Sequence, residues 1–364
     1  MSKKIGIVTY HQALSYGAKL QAYALQQFLD ENGIENDIVD YTCHFMYTRL
    51  IRPIRVGTQH RLKSFIRSLI TMRQTGIDRR KSVAFRRSYM KLSRPFTAEN
   101  ISEAADEYSA FIAGSDQVWS PTCVGFDPVY FLNFAKPQQK YSYAASIAVK
   151  EIPENLREEY KKRLGDFQRI SVREQSGVEI VKDLLNRDAQ VNIDPTLLLT
   201  KDSWEKMSKR IIDEPYIFLF NVKRPLHLIE YAKKLGEKTG LKIYYLQKNR
   251  IHRVKGVTYL DPVSAEEFVG LIKHATYVCT NSFHGTAFSV IFNKDFAVEY
   301  DNKDGRNIRS EELLNYLGIT DREINSDNFK GPSSPVDWEN VEQKINVQRE
   351  LSGKYITEIK NTIN

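Results

Sequence analysis

Apolar and polar positions along the first forty residues switch between two periods. Lys4 to Thr9 reads as a short apolar strand, a polar loop runs to Tyr16-Gly17, and from about Ala18 to Asp30 apolar residues recur at helical spacing. Gly33 stops that helix and Ile34 to Tyr41 supplies a second strand, which predicts a βαβ unit with the crossover length that parallel strands need. From Arg49 to Arg94 the pattern changes to amphipathic, Arg-rich stretches such as Leu62-Lys63-Ser64-Phe65-Ile66-Arg67-Ser68-Leu69-Ile70, more helical than extended. Strand-like runs resume at Ala110 to Ala113, Lys140 to Ala148 and Gln168 to Val172, the last two separated by a charged helix after Pro153. Ile193 to Leu199 reads as a crossing segment.

Beyond it the rhythm is more regular. Strands are expected at Tyr216 to Val222, Lys242 to Gln247, Val257 to Leu260, Tyr277 to Thr280 and Phe296 to Tyr300, with a helix at Leu226 to Lys238 and others between the later strands. Ser264-Ala265-Glu266-Glu267 is a capping box, and Val263 with Phe268 forms the matching hydrophobic staple. Asp337 to about Ile363 alternates apolar and charged residues at helical spacing and predicts one long terminal helix. The expected organisation is a Rossmann-like domain over 1–195 with a basic helical insertion at about 49–94, a second over 196–335, and a helix over 336–364 that packs back on the first. Two such domains place ligands in the crevice beyond the carboxyl ends of their strands.

At 364 residues the chain suits two domains, and 41% hydrophobic with 27% charged residues excludes wholesale disorder. No apolar run approaches the roughly 18 residues of a membrane span, and the opening Met1-Ser2-Lys3-Lys4 does not read as a signal peptide, so the expected location is cytoplasmic, at the inner face of the membrane. Cys43, Cys123 and Cys279 form neither a disulfide framework nor a zinc pattern, and no metal is expected. The net charge of +8 is uneven: residues 49–94 hold 14 Lys or Arg and one acid, Asp78, whereas the remainder holds 39 basic and 44 acidic side chains. That segment lacks the interleaved aromatics of a nucleic-acid face, so no nucleic-acid partner is expected; it reads first as a solvated or interdomain helical insertion, and its charge also suits an anionic membrane surface or a phosphorylated acceptor.

Four strand ends carry candidate chemistry. In Asn281-Ser282-Phe283-His284-Gly285-Thr286, a strand's carboxyl end opens a helix, where unpaired N–H groups and the positive dipole end can hold an anion. Ser282 and Thr286 add hydroxyls there, Gly285 permits close approach, and the same residues serve equally as a helix cap and a packing glycine. Ser15-Tyr16-Gly17-Ala18 can present backbone N–H groups or form a plain turn. In Gly114-Ser115-Asp116-Gln117-Val118-Trp119, Asp116 can bind sugar hydroxyls or act as a base and Trp119 can pack on a ring; an Asx turn with a core tryptophan is the alternative. Arg173, in Ser171-Val172-Arg173-Glu174, offers a fork for carboxylate or phosphate, or a salt bridge to an acid.

Together, Ser15-Tyr16-Gly17-Ala18-Lys19-Leu20-Gln21, Gly114-Ser115-Asp116-Gln117-Val118-Trp119, Ser171-Val172-Arg173-Glu174, Asp194-Pro195-Thr196 and Asn281-Ser282-Phe283-His284-Gly285 resemble the polysaccharide pyruvyl transferase family, in the family's order. The resemblance implies a GT-B-like architecture, two Rossmann-type domains facing a cleft, the second on the donor side. It also implies an activity: the enolpyruvyl carbons of phosphoenolpyruvate move onto two hydroxyls of a sugar, leaving a pyruvate ketal and phosphate, with no cofactor besides that co-substrate. The acceptor would be a saccharide of a surface polysaccharide or its lipid-linked precursor.

The family's donor signature is Arg-Leu-His-Gly. Here His284 and Gly285 match, while Ser282 and Phe283 stand in place of the arginine and leucine. The donor's charges then need another cation, Arg173 first, with Lys248 and Arg309 in reserve beside Ser282, His284, Gly285 and Thr286. His284 is the expected acid or phosphate clamp, Asp116 the base, and Tyr16, Gly17, Ser115, Asp116 and Trp119 the acceptor side. A GT-B glycosyltransferase using a nucleotide sugar and a non-catalytic binder of a sugar or anionic metabolite are the rival readings.

Overall fold

Ile5, Ile7 and Val8 have almost no solvent exposure, as a strand covered on both faces requires, and this segment is β1 (Ile5–Val8). The computed structural model describes residues 4–44, 61–123, 126–222, 225–247, 254–300, 308–326, 329 and 331–363. After β1 come α1 (Tyr16–Glu31), β2 (Asn36–Tyr41), α2 (Arg61–Tyr89), β3 (Leu92–Phe96), α3 (Ala104–Glu107), β4 (Ala110–Ala113), β5 (Lys140–Ser142), α4 (Arg157–Leu164), β6 (Ser171–Val172), α5 (Gln175–Leu185) and β7 (Gln190–Val191). The main sheet is parallel with order β3-β2-β1-β4-β5. Bridges from Tyr141 to Arg169 and from Ala145 to Val172 carry it onward to β6 and β7, which pair in parallel.

The second half holds α6 (Lys201–Met207), β8 (Tyr216–Asn221), α7 (Leu228–Thr239), β9 (Lys242–Gln247), β10 (Thr258–Tyr259), α8 (Ala265–His274), β11 (Tyr277–Thr280), α9 (Phe283–Ile291), β12 (Asp295–Val298), α10 (Ile308–Leu317) and α11 (Trp338–Ile363). Its parallel sheet, β10-β9-β8-β11-β12, repeats the strand order of the first. Each sheet therefore reverses direction at one place, between β1 and β4 and between β8 and β11. Ligand crevices open beyond the carboxyl ends at such switch points.

The apolar core runs unbroken between the halves. Trp204 of α6 lies edge-on to Phe288 of α9 at 4.8 Å and 5.8 Å from Tyr23 of α1, and Tyr16 stacks on Phe268 at 4.6 Å. Each such burial stabilises by about 1.5–3 kcal/mol, so the domain contact is a packed interior rather than a wet hinge. Lys81 of α2 adds an ion pair to Glu267 of α8 at 2.6 Å. Glu267 also completes the capping box, since its carboxylate accepts from Ser264 N at 2.7 Å and Ser264 Oγ accepts from Glu267 N at 3.2 Å. Helix α11 crosses back to the first sheet, where Tyr355 donates to Ser142 O at 2.8 Å and Lys360 to Asn32 O at 2.9 Å.

Three strand expectations differ from the structure. The run Lys140 to Ala148 stops as a ladder at Ser142: Ala144 adopts a positive φ (47°), and single bridges at Ala145 follow it. The last strand is Asp295–Val298 rather than Phe296 to Tyr300. Leu92–Phe96 is a strand inside the segment read as helical; its Pro95 is accommodated because β3 is an edge. Of the basic segment, residues 49–60 lie outside the described residues, as does Lys248. Within the described part of α2, Arg73, Arg79, Arg80 and Arg87 are exposed. Among the described residues no helix is long and apolar enough to cross a membrane.

Candidate functional site

The two switch points face each other, and the side chains at their strand ends converge. After β4, Asp116 takes a left-handed φ of 75°, held by bonds from Ser146 N (2.9 Å) and Val118 N (2.7 Å) to its carbonyl. After β6, Arg173 points inward, and its Nη1 donates to Asp194 Oδ2 and to Ser115 Oγ at 3.3 Å. Its Nη2 lies 4.0 Å from Asp116 Oδ1. From the other domain, Arg309 of α10 approaches the same Asp116 oxygen to 3.9 Å. Phe283 lies under both guanidinium groups, 4.9 Å from that of Arg173 and 5.5 Å from that of Arg309.

His284 sits in the first turn of α9. Its Nε2 is 3.6 Å from Asp194 Oδ2 and shut off from solvent, although the side chain as a whole keeps 9% exposure. Nδ1 is therefore the nitrogen left to meet a ligand. The ring rests on Gly17 in the first turn of α1, so closely that a Cβ there would lie 1.9 Å from Nδ1. Two helix N-termini thus meet at one imidazole. Ser282 caps α9 by accepting from Gly285 N at 3.4 Å, whereas Ser15 makes no side-chain cap on α1, leaving its first-turn N–H groups without that acceptor.

Asp194 ties these groups together. It is fully buried; Oδ1 accepts from Thr196 N (3.0 Å) and Thr196 Oγ1 (2.7 Å), and Oδ2 takes Ser115 Oγ (3.3 Å) and Arg173 while facing His284. Burial alone would raise its carboxyl; His284, Arg173 and the Thr196 N–H outweigh that and hold it well below the usual carboxylate range. Burial likewise pushes the Arg173 guanidinium down, and Asp194, Glu174 and Asp116 more than restore it. Arg309 fares otherwise: burial first and the charge of Arg173 second lower it to about 10. Arg173 Nε and Nη2 have no hydrogen-bond acceptor among the described residues. Two guanidinium groups from different domains thus face one carboxylate oxygen of Asp116.

The structure thus brings together Arg173, Arg309, His284, Asp116 and Ser115, with Gly17 as the floor under the imidazole. Several expected roles require correction. Trp119 is an interior residue, without exposure: its Nε1 donates to Tyr130 O at 3.0 Å and its ring stacks near Phe131, so no acceptor sugar reaches it. Thr286 is fully buried, its hydroxyl turned back to Ser282 O at 3.2 Å, and Gly285 is small because a Cβ would meet Thr280 Oγ1 at 2.4 Å. Ser115 is spent on Arg173 and Asp194, and Ser282 on its helix, rather than on a ligand. Tyr16 does sit at the cleft, where its hydroxyl accepts from Val263 N at 3.2 Å. Glu174 pairs not with Arg173 but accepts from Ala148 N at 2.9 Å and from Ser146 Oγ.

Asp194 is the site residue to which the sequence attached no role. It stands in the motif Asp194-Pro195-Thr196 that contributes to the family resemblance, and locally it is an N-cap: Thr196 N donates to it. Among the described residues, no group of His, Cys, Asp and Glu is arranged to hold a metal.

A family model described as polysaccharide pyruvyl transferase matches residues 16–300. A search of curated proteins finds no match. Among solved structures, the chain is similar to the UDP-GlcNAc 2-epimerase of Methanocaldococcus jannaschii in complex with UDP-GlcNAc and UDP (12% identity, TM-score 0.51, covering 98% of each chain). It is similar as well to UDP-N-acetylglucosamine 2-epimerase from Rickettsia bellii (12% identity, TM-score 0.51, covering 99% of this chain and 96% of that one). At such identities the likeness is one of fold, the two-domain GT-B architecture.

Proposed function

Because the chain belongs to the polysaccharide pyruvyl transferase family, we propose that it transfers the enolpyruvyl group of phosphoenolpyruvate to a saccharide acceptor, free or lipid-linked, giving a pyruvate ketal and inorganic phosphate. The observation that carries this reading is the convergence of Arg173, Arg309 and His284 at the facing switch points. A donor with a carboxylate and a phosphate needs cations in a buried site, and here two arginines from other elements stand in for the one that Ser282 displaces.

In the proposed reaction, His284 Nδ1 delivers a proton to the methylene carbon while an acceptor hydroxyl adds to the neighbouring carbon and loses its proton to Asp116. Departure of phosphate, its charge met by Arg173 and Arg309, leaves a cationic carbon that the second hydroxyl captures as its proton passes back to the now unprotonated His284 Nδ1. One methyl group is made, two C–O bonds form, and one C–O bond to phosphate breaks. Asp194 does not touch substrate; it orients His284 and Arg173.

Thermal unfolding with phosphoenolpyruvate, against a panel of nucleotide sugars, tests the reading without knowledge of the acceptor. At 100 times its Kd, phosphoenolpyruvate is expected to stabilise by about 2.7 kcal/mol, a rise of a few degrees that vanishes in His284→Ala. Stabilisation by a nucleotide sugar alone would replace the proposal with glycosyl transfer.

A further inference from the structure

Between Asp40 and Glu99 the sequence has a single acid, Asp78, and in α2 that acid is buried. The described cations of this stretch divide into two sets. Lys81 pairs with Glu267 at 2.6 Å, Arg86 faces Asp40 at 3.8 Å, Lys91 meets Asp30 at 2.6 Å, and Arg94 binds Glu103 and Glu107. Arg73, Arg79, Arg80 and Arg87 are exposed and pair with no acid among the described residues. Their placement on the helix is regular. Arg73, Arg80 and Arg87 recur every seventh residue, so they share one outward stripe about 21 Å long, and Arg79 flanks it. The residues between them on that arc are apolar or small: Met72 is 42% exposed, Ala84 is exposed, and Ile77 and Val83 are half-buried. The helix turns Ser82 and Phe85 into the protein, and on the same inward side Gln74, Thr75 and Asp78 join Tyr16 in walling the interdomain cleft.

Charge and apolar surface together select a partner. A helix face built for water mixes signs, as α4 does by pairing Lys161 with Glu158 at 2.7 Å, whereas the outward arc of α2 sets guanidinium groups among apolar side chains and holds no acid. A single-stranded nucleic acid needs exposed rings on which its bases stack, and no aromatic lies on this arc. Arginines with apolar neighbours along one face of a long helix match the headgroup region of an anionic bilayer, where phosphates meet the guanidinium groups and Met72, Ile77 and Val83 face the acyl boundary. We propose that the outward face of α2 docks the protein on an anionic lipid surface. The cleft then opens within one helix diameter, about 10 Å, of the headgroups, which suits an acceptor carried on lipid. That use of the surface rests on the pyruvyl-transfer reading, whereas lipid binding does not.

The test is flotation of the full chain with phosphatidylcholine vesicles, pure or containing about a third phosphatidylglycerol, at low and high salt. The parent is compared with the triple variant Arg73→Glu, Arg80→Glu, Arg87→Glu and with a control of equal charge change at exposed positions elsewhere, Lys162→Glu, Lys206→Glu, Lys354→Glu. The parent is expected to bind only the anionic vesicles at about 0.1 M salt and to lose roughly tenfold or more of that affinity at about 0.5 M. The α2 variant should lose roughly tenfold or more at the lower salt, and the control should stay within about threefold of the parent. No binding by the parent, or an equal loss in variant and control, would overturn the proposal, the second because net charge rather than this face would then be responsible. Tighter binding of a single-stranded oligonucleotide than of vesicles at the same salt, lost in the α2 variant, would overturn it in favour of nucleic acid. Stabilisation by phosphoenolpyruvate should be that of the parent in the α2 variant. A protein that binds vesicles through α2 and ignores phosphoenolpyruvate would keep the docking surface and overturn the lipid-carried acceptor.

Discussion

Replacing Arg173 by Met is expected to abolish phosphoenolpyruvate binding and to lower stability by about 3–5 kcal/mol, the usual cost of stranding one partner of a buried ion pair. Asp194 is the stranded partner: it has no exposure, and its Oδ2 would keep only Ser115 Oγ and the facing imidazole. Urea unfolding at pH 7 measures the cost, and the double variant Arg173→Met with Asp194→Asn should recover part of it, because a neutral amide is cheaper to bury. The pH dependence has a defined sign. Asp194 is held below its unfolded value, so its contribution in the parent is complete above about pH 4 and is lost as pH falls through its lower folded value. In Arg173→Met much of that acid-side loss should be missing. A single variant as stable as the parent at neutral pH would show that the pair is not the anchor of the site.

Gly17→Ala is the second large effect. In an ordinary helix the change gains about 0.5–1 kcal/mol from propensity. Here the added Cβ would lie 1.9 Å from Nδ1 and 2.4 Å from Cε1 of His284, and the ring cannot simply retreat because its Nε2 already faces Asp194. Either the imidazole rotates away from Asp194 or the two domains part. Turnover, followed as phosphate release, should fall at least about 100-fold, since displacement of a reacting group by about 1 Å costs that much, while far-ultraviolet circular dichroism stays that of the parent. An alanine variant within a few-fold of parental turnover would remove His284 from the chemistry.

Much of the architecture was legible from local pattern. The period-2 and period-3.6 runs located β1, α1, β4, β8, β9 and β11 to within a few residues, and Ser264 with Glu267 marked the start of α8 because a capping box is decided by four neighbouring residues. β3 was not legible: Leu92-Ser93-Arg94-Pro95-Phe96 has the polarity of an edge, and edges lack the apolar signature of central strands. Within the site, the need for cations to offset Ser282 pointed to Arg173 first, with Lys248 and Arg309 in reserve, from their charge and their places beside strand ends and a helix start; Arg173 and Arg309 meet at Asp116, and Lys248 lies outside the described residues. Asp194 escaped because its importance lies in what meets it, a guanidinium from the end of β6 and an imidazole from the other domain. Trp119 was misplaced for the same reason: the residues beside it do not say that Tyr130, Phe131 and Phe167 enclose it.

The pairing of Arg309 with Arg173 is where the functional reading is most exposed. Isothermal titration of phosphoenolpyruvate into the parent and into Arg309→Met, which leaves Asp194 and its partners intact, measures it directly. The expected result is one site per chain in the parent and an affinity at least tenfold weaker in the variant, with the loss shrinking as salt rises. Equal affinities, or a parent that does not bind phosphoenolpyruvate, would contradict the assignment of this cation pair as the donor site.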